Sequence, residues 1–563
     1  MADRSSSKRT RARATQQAVV RLQRSVHRLM QAEVRSYTGG RAPALDRYYR
    51  EYMREFRRHH AIASFGDLHQ SMLESDLFFV GDYHTLRQSQ ELACRLLARA
   101  AAEERPLVLA LEMILCEHQV HIDDYMRGDL DDRTFLERVD YHRTWNFDWA
   151  NYKPLFEAAR QHGVRVVGIN HPAPPGRTRL RARDDAIAAS LVEVVQAAPD
   201  ARVMVLIGDL HLASNHLPRA LEARLNARGT PRCTLIVYQN SDALYWSLAE
   251  KGAGADAQVV RLGDDRFCVM EVPPHVKLQS YLSWEQALER LEDVGDGDDF
   301  VVETTHTGIL DALLRRLCQF FAFPPVRGVS EVFTNLDELF FEAVENAASV
   351  GEDRVREVHL LSFANRSCFI PELDIVYLPY FSVHHASEEA MHVLQQRVQG
   401  NVRYVDDTFE DFYARVWDSA AGFFASKLVN PLRAAPSETE LRDFLRTASR
   451  RLHEPDLAFR KRVARFVLQH KDHERARLAG SRGRLKQIYE QELDVRLEVA
   501  TTLGYMLGLQ LADALQRGAL ETSDVRTLLF THGDSPPSGR YFHLLSRLLG
   551  PRAGTVRRRA ASA

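Results

Sequence analysis

The chain has 563 residues, 45% of them hydrophobic and 27% charged, with a formal net charge of -2 and a pI near 6.9. That length exceeds what one core supports, so two large domains or three to four smaller ones are expected. The composition excludes a fibrous or wholly disordered chain, and the near-neutral balance excludes a surface built throughout for nucleic acid.

The charge is uneven. Residues 1–60 hold 15 Lys and Arg against 5 Asp and Glu, so the remainder is acidic. Residues 1 to 16 read as disordered. From Gln17 the spacing of Val20, Leu22, Val26, Leu29 and Met30 predicts a basic amphipathic helix, either a solvated surface element or a contact for an acidic partner. A second helix with Tyr48, Tyr49, Tyr52, Met53 and Phe56 leads onward. The opening segment has neither the apolar region of a signal peptide nor a lipoprotein cysteine, which gives a cytoplasmic expectation. No run approaches about eighteen uninterrupted apolar residues, so no membrane span is expected. Six scattered cysteines without CxxC spacing read as buried thiols.

From Leu77 the pattern is strand, polar turn, helix, repeated. Leu77 to Val80 stops at Gly81-Asp82-Tyr83-His84, and Thr85 with Gln88 makes a capping box for the helix that follows. Leu107 to Leu111 ends in Glu112, and a helix spans Glu117 to Met126. The block Trp145 to Pro154 carries aromatics at helical spacing, Val164 to Ile169 ends in Asn170-His171, and an Arg-rich helix delivers Val203 to Ile207 with Gly208-Asp209-Leu210-His211. Thr234 to Tyr238 and a hairpin around Asp264-Asp265 complete the pattern. Alternation of this kind implies an α/β fold with a mostly parallel sheet flanked by helices.

The expected organisation is a basic, partly disordered helical segment over 1–60, the α/β domain over 61–285 and an acidic linker over 286–300. A mainly α-helical domain over 301–550 and a basic disordered tail over 551–563 follow. In the helical part Val332 to Ala347 reads as helix, while Val358 to Phe363 and Ile375 to Phe381 read as strands. Gly504 and Gly508, four apart, would let a neighbouring helix approach closely. His385, Glu389 and His392 share a helix face with metal-ligand spacing, but without partner acids they read as a polar helix start; His470 and His473 read as surface residues.

Four strands thus end in groups that ligate metals or move protons. In extended backbone, residues two apart point the same way, so Asp82 with His84, and Asp209 with His211, each aim an acid and an imidazole at one spot. The C-terminal ends of parallel strands face one side, where α/β proteins bind ligands. Asp82, His84, Asp209 and His211 are candidate ligands for zinc, manganese, cobalt or iron, and His84, Glu112 and His211 are candidate catalytic groups for hydrolysis by a metal-bound water, with Glu112 as base. The alternative is that the acids organise turns and the histidines are structural. Trp145, Trp149 and Tyr152 form either a core-packed face or a wall for a ligand.

The run Gly81 to His84, the Leu111-Glu112-Met113 strand end, Gln119 with Tyr125 and Gly128, and the Trp145 to Pro154 block resemble the ChaN family over roughly residues 70–280. These are haem-binding uptake proteins of the superfamily that includes Tiki metalloproteases, TraB proteins and erythromycin esterases. The family's first motif usually reads Gly-Glu-x-His, where this chain has Asp82, and the second usually lacks the acid that Asp209 supplies. The resemblance implies either haem or iron binding, with Tyr83, His84 or Met113 as axial donor and Trp145, Trp149 and Tyr152 lining the cofactor, or ester or amide hydrolysis of the Tiki and esterase branches. A small-molecule ligand is expected in both cases.

Overall fold

The computed structural model describes residues 2–38, 43–57, 61–172, 179–253, 258–293, 303–334, 338–400, 408–447, 455–481, 485–531 and 535–549. The expected tail over 551–563 and residues 294–300 of the expected linker lie outside these; residues 286–293 belong to the helix Pro274–Asp293. The chain divides into two units, His27–Gly297, and Met1–Val26 with Asp298–Ala563.

In the first unit, continuous apolar runs form strands buried on both faces, the pattern of a parallel sheet covered by helices. The strands are β1 (Ala61–Ala63), β2 (Leu77–Asp82), β3 (Leu107–Leu115), β4 (Arg165–Asn170), β5 (Arg202–Gly208), β6 (Thr234–Gln239), β7 (Val259–Gly263) and β8 (Arg266–Val269). They form one sheet in the order β1-β7-β8-β6-β2-β5-β3-β4. β2, β3, β4, β5, β6 and β8 pair in parallel, and β7 pairs antiparallel with both β8 and β1, which closes the hairpin expected around Asp264-Asp265. The mostly parallel α/β reading is therefore met.

Strand alternation sorts side chains onto two faces. Phe78 and Val80 of β2, with Leu107, Leu109, Leu111 and Met113 of β3, join one core with Leu92, Tyr125, Phe135, Tyr152 and Phe156 of the helices Arg87–Ala101, Gln119–Arg127, Asp132–Arg138 and Trp149–Gln161. Asp82 continues the first face, and Glu112 points to the other. β5 returns between β2 and β3, so Asp82, Gly208 and Glu112 end on three adjacent strands.

The second unit is mainly helical. Its tightest pairing joins the helices Thr408–Val429 and Leu493–Gln516. Gly504 and Gly508 make this possible, because a Cβ on Gly504 would lie 2.7 Å from the Val416 carbonyl oxygen and one on Gly508 2.6 Å from that of Ala420. A small sheet runs Cys368–Ile370, Ile375–Leu378, Glu331–Thr334. No described helix is long and apolar enough to cross a membrane.

Several local expectations are corrected. Residues from Ala2 onward are helical rather than disordered, in keeping with the helix propensity of Ala and Arg. The helix after β2 begins at Arg87 without a side-chain cap, and the Thr85 hydroxyl instead pairs with Ser280. Val358 to Phe363 belongs to the helix Glu352–Phe363, where Val355, Val358 and Leu361 recur every third residue and pack on one core. Val332 lies in a strand that pairs in parallel with Ile375–Leu378. His470 is fully buried, its Nδ1 on Glu474 Oε1 (2.9 Å) and its Nε2 on the Tyr413 hydroxyl (3.0 Å).

Replacing Gly508 by Ala should drive a methyl into the Ala420 carbonyl and cost about 1–3 kcal/mol of stability, as overpacking does. Equilibrium denaturation checks this, and an unchanged midpoint would refute the close approach.

Candidate functional site

The two Gly-Asp-x-His units are not equivalent. β2 and β5 pair with Asp82 opposite Gly208, one residue out of step with a Gly-to-Gly match, and a one-residue offset reverses the face on which each side chain falls. Asp82 therefore points toward the helix Trp149–Gln161, whereas Asp209 lies under Gly81, where an added Cβ would sit 1.8 Å from Asp209 Oδ1. Asp209 is buried, and Oδ1 has no hydrogen-bond partner among the described residues. Burial pushes its carboxyl up to about 7 against the pull of Lys277. The expectation that Asp209 and His211 share a target fails because the chain turns into a 3-10 helix at Asp209–Leu212, which ends the two-residue alternation.

At the end of β2, His84 Nδ1 is 2.9 Å from Asp82 Oδ2. The same oxygen accepts from the Tyr152 hydroxyl (2.7 Å), and Gln90 Nε2 donates to Oδ1. Asp82 is thus a buried acceptor with three donors, and the imidazole must keep its proton on Nδ1 to be one of them. Nε2 of His84 makes no hydrogen bond among the described residues. Rings of Trp145 and Phe147 stand 4.5 and 4.9 Å from the His84 ring.

At the end of β3, Glu112 is buried. Its Oε1 meets Arg183 Nη2 at 2.7 Å and His211 Nε2 at 3.6 Å, and its Oε2 accepts the Gly208 N–H at 2.6 Å. Gly208 separates Glu112 from His84: a methyl there would lie 3.2 Å from both Cε1 and Nε2 of His84 and 3.5 Å from Glu112 Oε2. On the far side, His211 Nδ1 is 2.5 Å from Asp184 Oδ1, and the Tyr48 hydroxyl donates to Asp184 Oδ2 at 2.7 Å. Two imidazoles, each held at Nδ1 by its own buried aspartate, thus flank one carboxylate.

The charges are mutually dependent. Burial disfavours the charged imidazole of His84, but the Asp82 hydrogen bond and the charges of Asp82 and Glu112 outweigh it and raise its pKa above the ordinary 6.5. Burial likewise works against ionised Glu112, yet Arg183 first, then His211 and His84, and the Gly208 N–H hold its carboxyl below the usual 4.5.

Of the expected site residues, Asp82, His84, Glu112, His211, Trp145 and Tyr152 come together. Tyr83 stays half-buried, its ring 5.4 Å from the Lys277 ammonium. Met113 is buried in the core, and Trp149 packs against Tyr125, Phe135, Tyr141 and Phe156. His171 turns to Ser190 (2.7 Å) and Cys116. Sequence reasoning missed Arg183, Asp184, Tyr48 and Gln90. The first two stand in the Arg-rich stretch of helix Arg179–Ala197, where an adjacent Arg-Asp pair reads as surface charge, and Tyr48 reads as an apolar position.

The expected metal ligands do not form a cluster in this structure. Among the described residues no group of three or more His, Cys, Asp or Glu is arranged to hold a metal ion. The donors face other partners: the Arg183 guanidinium neutralises Glu112, Nδ1 of each imidazole faces an aspartate, and Asp209 points away. In the helical unit, Glu389 likewise accepts from Ser367 and faces His392 Nδ1 at 3.1 Å, while Glu388 binds Arg433 and the Tyr505 hydroxyl (2.8 Å); these acids have local counterparts.

Replacing Glu112 by Gln removes a charge that favours protonated His84, so the His84 pKa should fall. An NMR titration of the imidazole resonances reads this directly, and an unchanged or higher value would contradict the arrangement.

Residues 68–177 match the family model described as Haem-binding uptake, Tiki superfamily, ChaN. Among solved structures the chain is similar to ChaN of Campylobacter jejuni, described with cofacial heme binding, at 15% identity over 32% of this chain and 87% of that one, with a TM-score of 0.27. It is also similar to the type III effector HopBA1 at 13% identity over 36% and 90%, with a TM-score of 0.26. No curated protein matches. The match over residues 68–177 takes in the Gly81 to His84 run, the Glu112 strand end and the Trp145 to Pro154 block, so this stretch of the α/β unit is similar to the family described as Haem-binding uptake, Tiki superfamily, ChaN.

Proposed function

We propose that the α/β unit is a hydrolase of esters or amides in which the His84–Asp82 pair moves the proton. The observation that carries this reading is the orientation of His84, with Nδ1 fixed on buried Asp82 and Nε2 on the side of Gly208 and Glu112, in a side chain that remains 26% exposed. A base held in this way accepts a proton without reorganising, and the aspartate stabilises the imidazolium that forms.

Nε2 of neutral His84 takes a proton from water while the water oxygen bonds to the acyl carbon, and the carbonyl π pair moves onto oxygen. Arg183, partly exposed and already next to Glu112, supplies the positive charge for that oxyanion. The carbonyl re-forms, the bond to the leaving oxygen or nitrogen breaks, and the proton on Nε2 passes to the leaving atom. Glu112, expected as the base, is in this reading the fixed charge that holds Arg183 and both imidazoles, since its own carboxyl is kept ionised.

His84→Ala should lower hydrolysis of a panel of simple esters by about 10²–10⁴-fold. Because His84 acts as a base and its pKa lies above 6.5, activity should rise with pH through that raised value. Asp82→Asn removes the hydrogen bond and charge that raise it, so the rising limb should move to lower pH as the maximal rate falls. Initial rates across pH check both, and full activity in His84→Ala would refute the assignment.

The match to a family described as haem-binding favours a second reading, in which the same strand ends hold haem. His84 and Tyr83, both half-buried, would be the donors to the iron, and Trp145 and Phe147 would supply apolar walls; Met113, closed in the core, does not fit. Haem would bring its own iron chemistry, and the protein's part would be to orient the donor through Asp82. Haemin titration tests this: a stoichiometric absorbance band lost in Tyr83→Phe or His84→Ala supports it, and no saturable band removes it.

A further inference from the structure

Phe147 lies 4.9 Å from the His84 ring and stacks on Trp284, with centroids 4.8 Å apart and planes at 29°. Both rings are half-buried, as is His84, so neither ring is closed off in the core. Their placement is fixed from two directions. Trp284 comes from the helix Pro274–Asp293, and its Nε1 donates to the Asn146 carbonyl at 2.9 Å. Asn146 has φ of 57°, a left-handed conformation uncommon outside glycine, and it precedes Phe147 directly. Behind them Trp145 is buried against His84 and Phe147.

We propose that Phe147 and Trp284 form an aromatic platform that receives a flat ring of the substrate next to His84, so that the preferred substrates are esters or amides bearing an aryl group. An aryl ring laid against this pair gains offset-stacked or edge contacts that a saturated ring of equal size does not. The platform rests on the hydrolytic reading for its reaction but not for its binding.

Calorimetry with 2-naphthamide and cyclohexanecarboxamide on the full chain separates the two. The expected result is that 2-naphthamide binds roughly tenfold tighter or more, and that the preference is lost in Phe147→Leu and in Trp284→Leu, which keep apolar bulk while removing the ring. Circular dichroism of each variant confirms the fold. Equal binding of the two amides, no binding of 2-naphthamide, or an unchanged preference in both variants would overturn the proposal. If the preference holds but methyl 2-naphthoate is not hydrolysed, the platform stands and the hydrolytic reading fails.

Discussion

A buried carboxylate at the end of a central strand is the constraint on which the site depends. An ionised Glu112 cannot stay in the interior alone, because desolvation of an unpaired charge costs several kcal/mol, ~3–5 for a broken buried pair. The fold meets this with groups from separate elements: the guanidinium of Arg183, the N–H of Gly208, and the imidazoles of His211 and His84. Each of those groups then needs its own support. His211 leans on Asp184, which Tyr48 also serves, and His84 leans on Asp82, which Tyr152 and Gln90 serve. The network is therefore a chain of compensations outward from one acid.

Topology makes it possible. β5 enters between β2 and β3 after they have formed neighbours in sequence, so the residue between Asp82 and Glu112 is Gly208, whose missing side chain leaves room for the His84 ring. Gly81 does the same for Asp209 on the opposite face. The two glycines that end the apolar runs thus have packing duties, and neither has a positive φ.

The parallel sheet was legible because continuous apolar runs of strand length, each followed by a helical period, have few other solutions. Asp82, His84, Glu112 and His211 were legible because strand ends on one side of a sheet converge. What was not legible depended on register and on partners distant in sequence. The one-residue offset between β2 and β5 follows from tertiary pairing and sets Asp209 on the face opposite Asp82, and the 3-10 turn at Asp209–Leu212 parts it from His211. Arg183 and Asp184 lie on a helix whose charges look solvated until its position is known, and only a folded chain brings Tyr48 to Asp184. Val358 to Phe363 misled because a short apolar run carries both periods, and its partners decided for helix.

The central claim is that both imidazoles are held by aspartates at Nδ1 and present Nε2 toward Glu112. Nitrogen-15 NMR of histidine-labelled protein, assigned through His84→Gln and His211→Gln, tests this most directly at a pH where neutral imidazole is populated. The account predicts that neutral His84 and neutral His211 both carry their proton on Nδ1. Neutral rings protonated on Nε2 would contradict it.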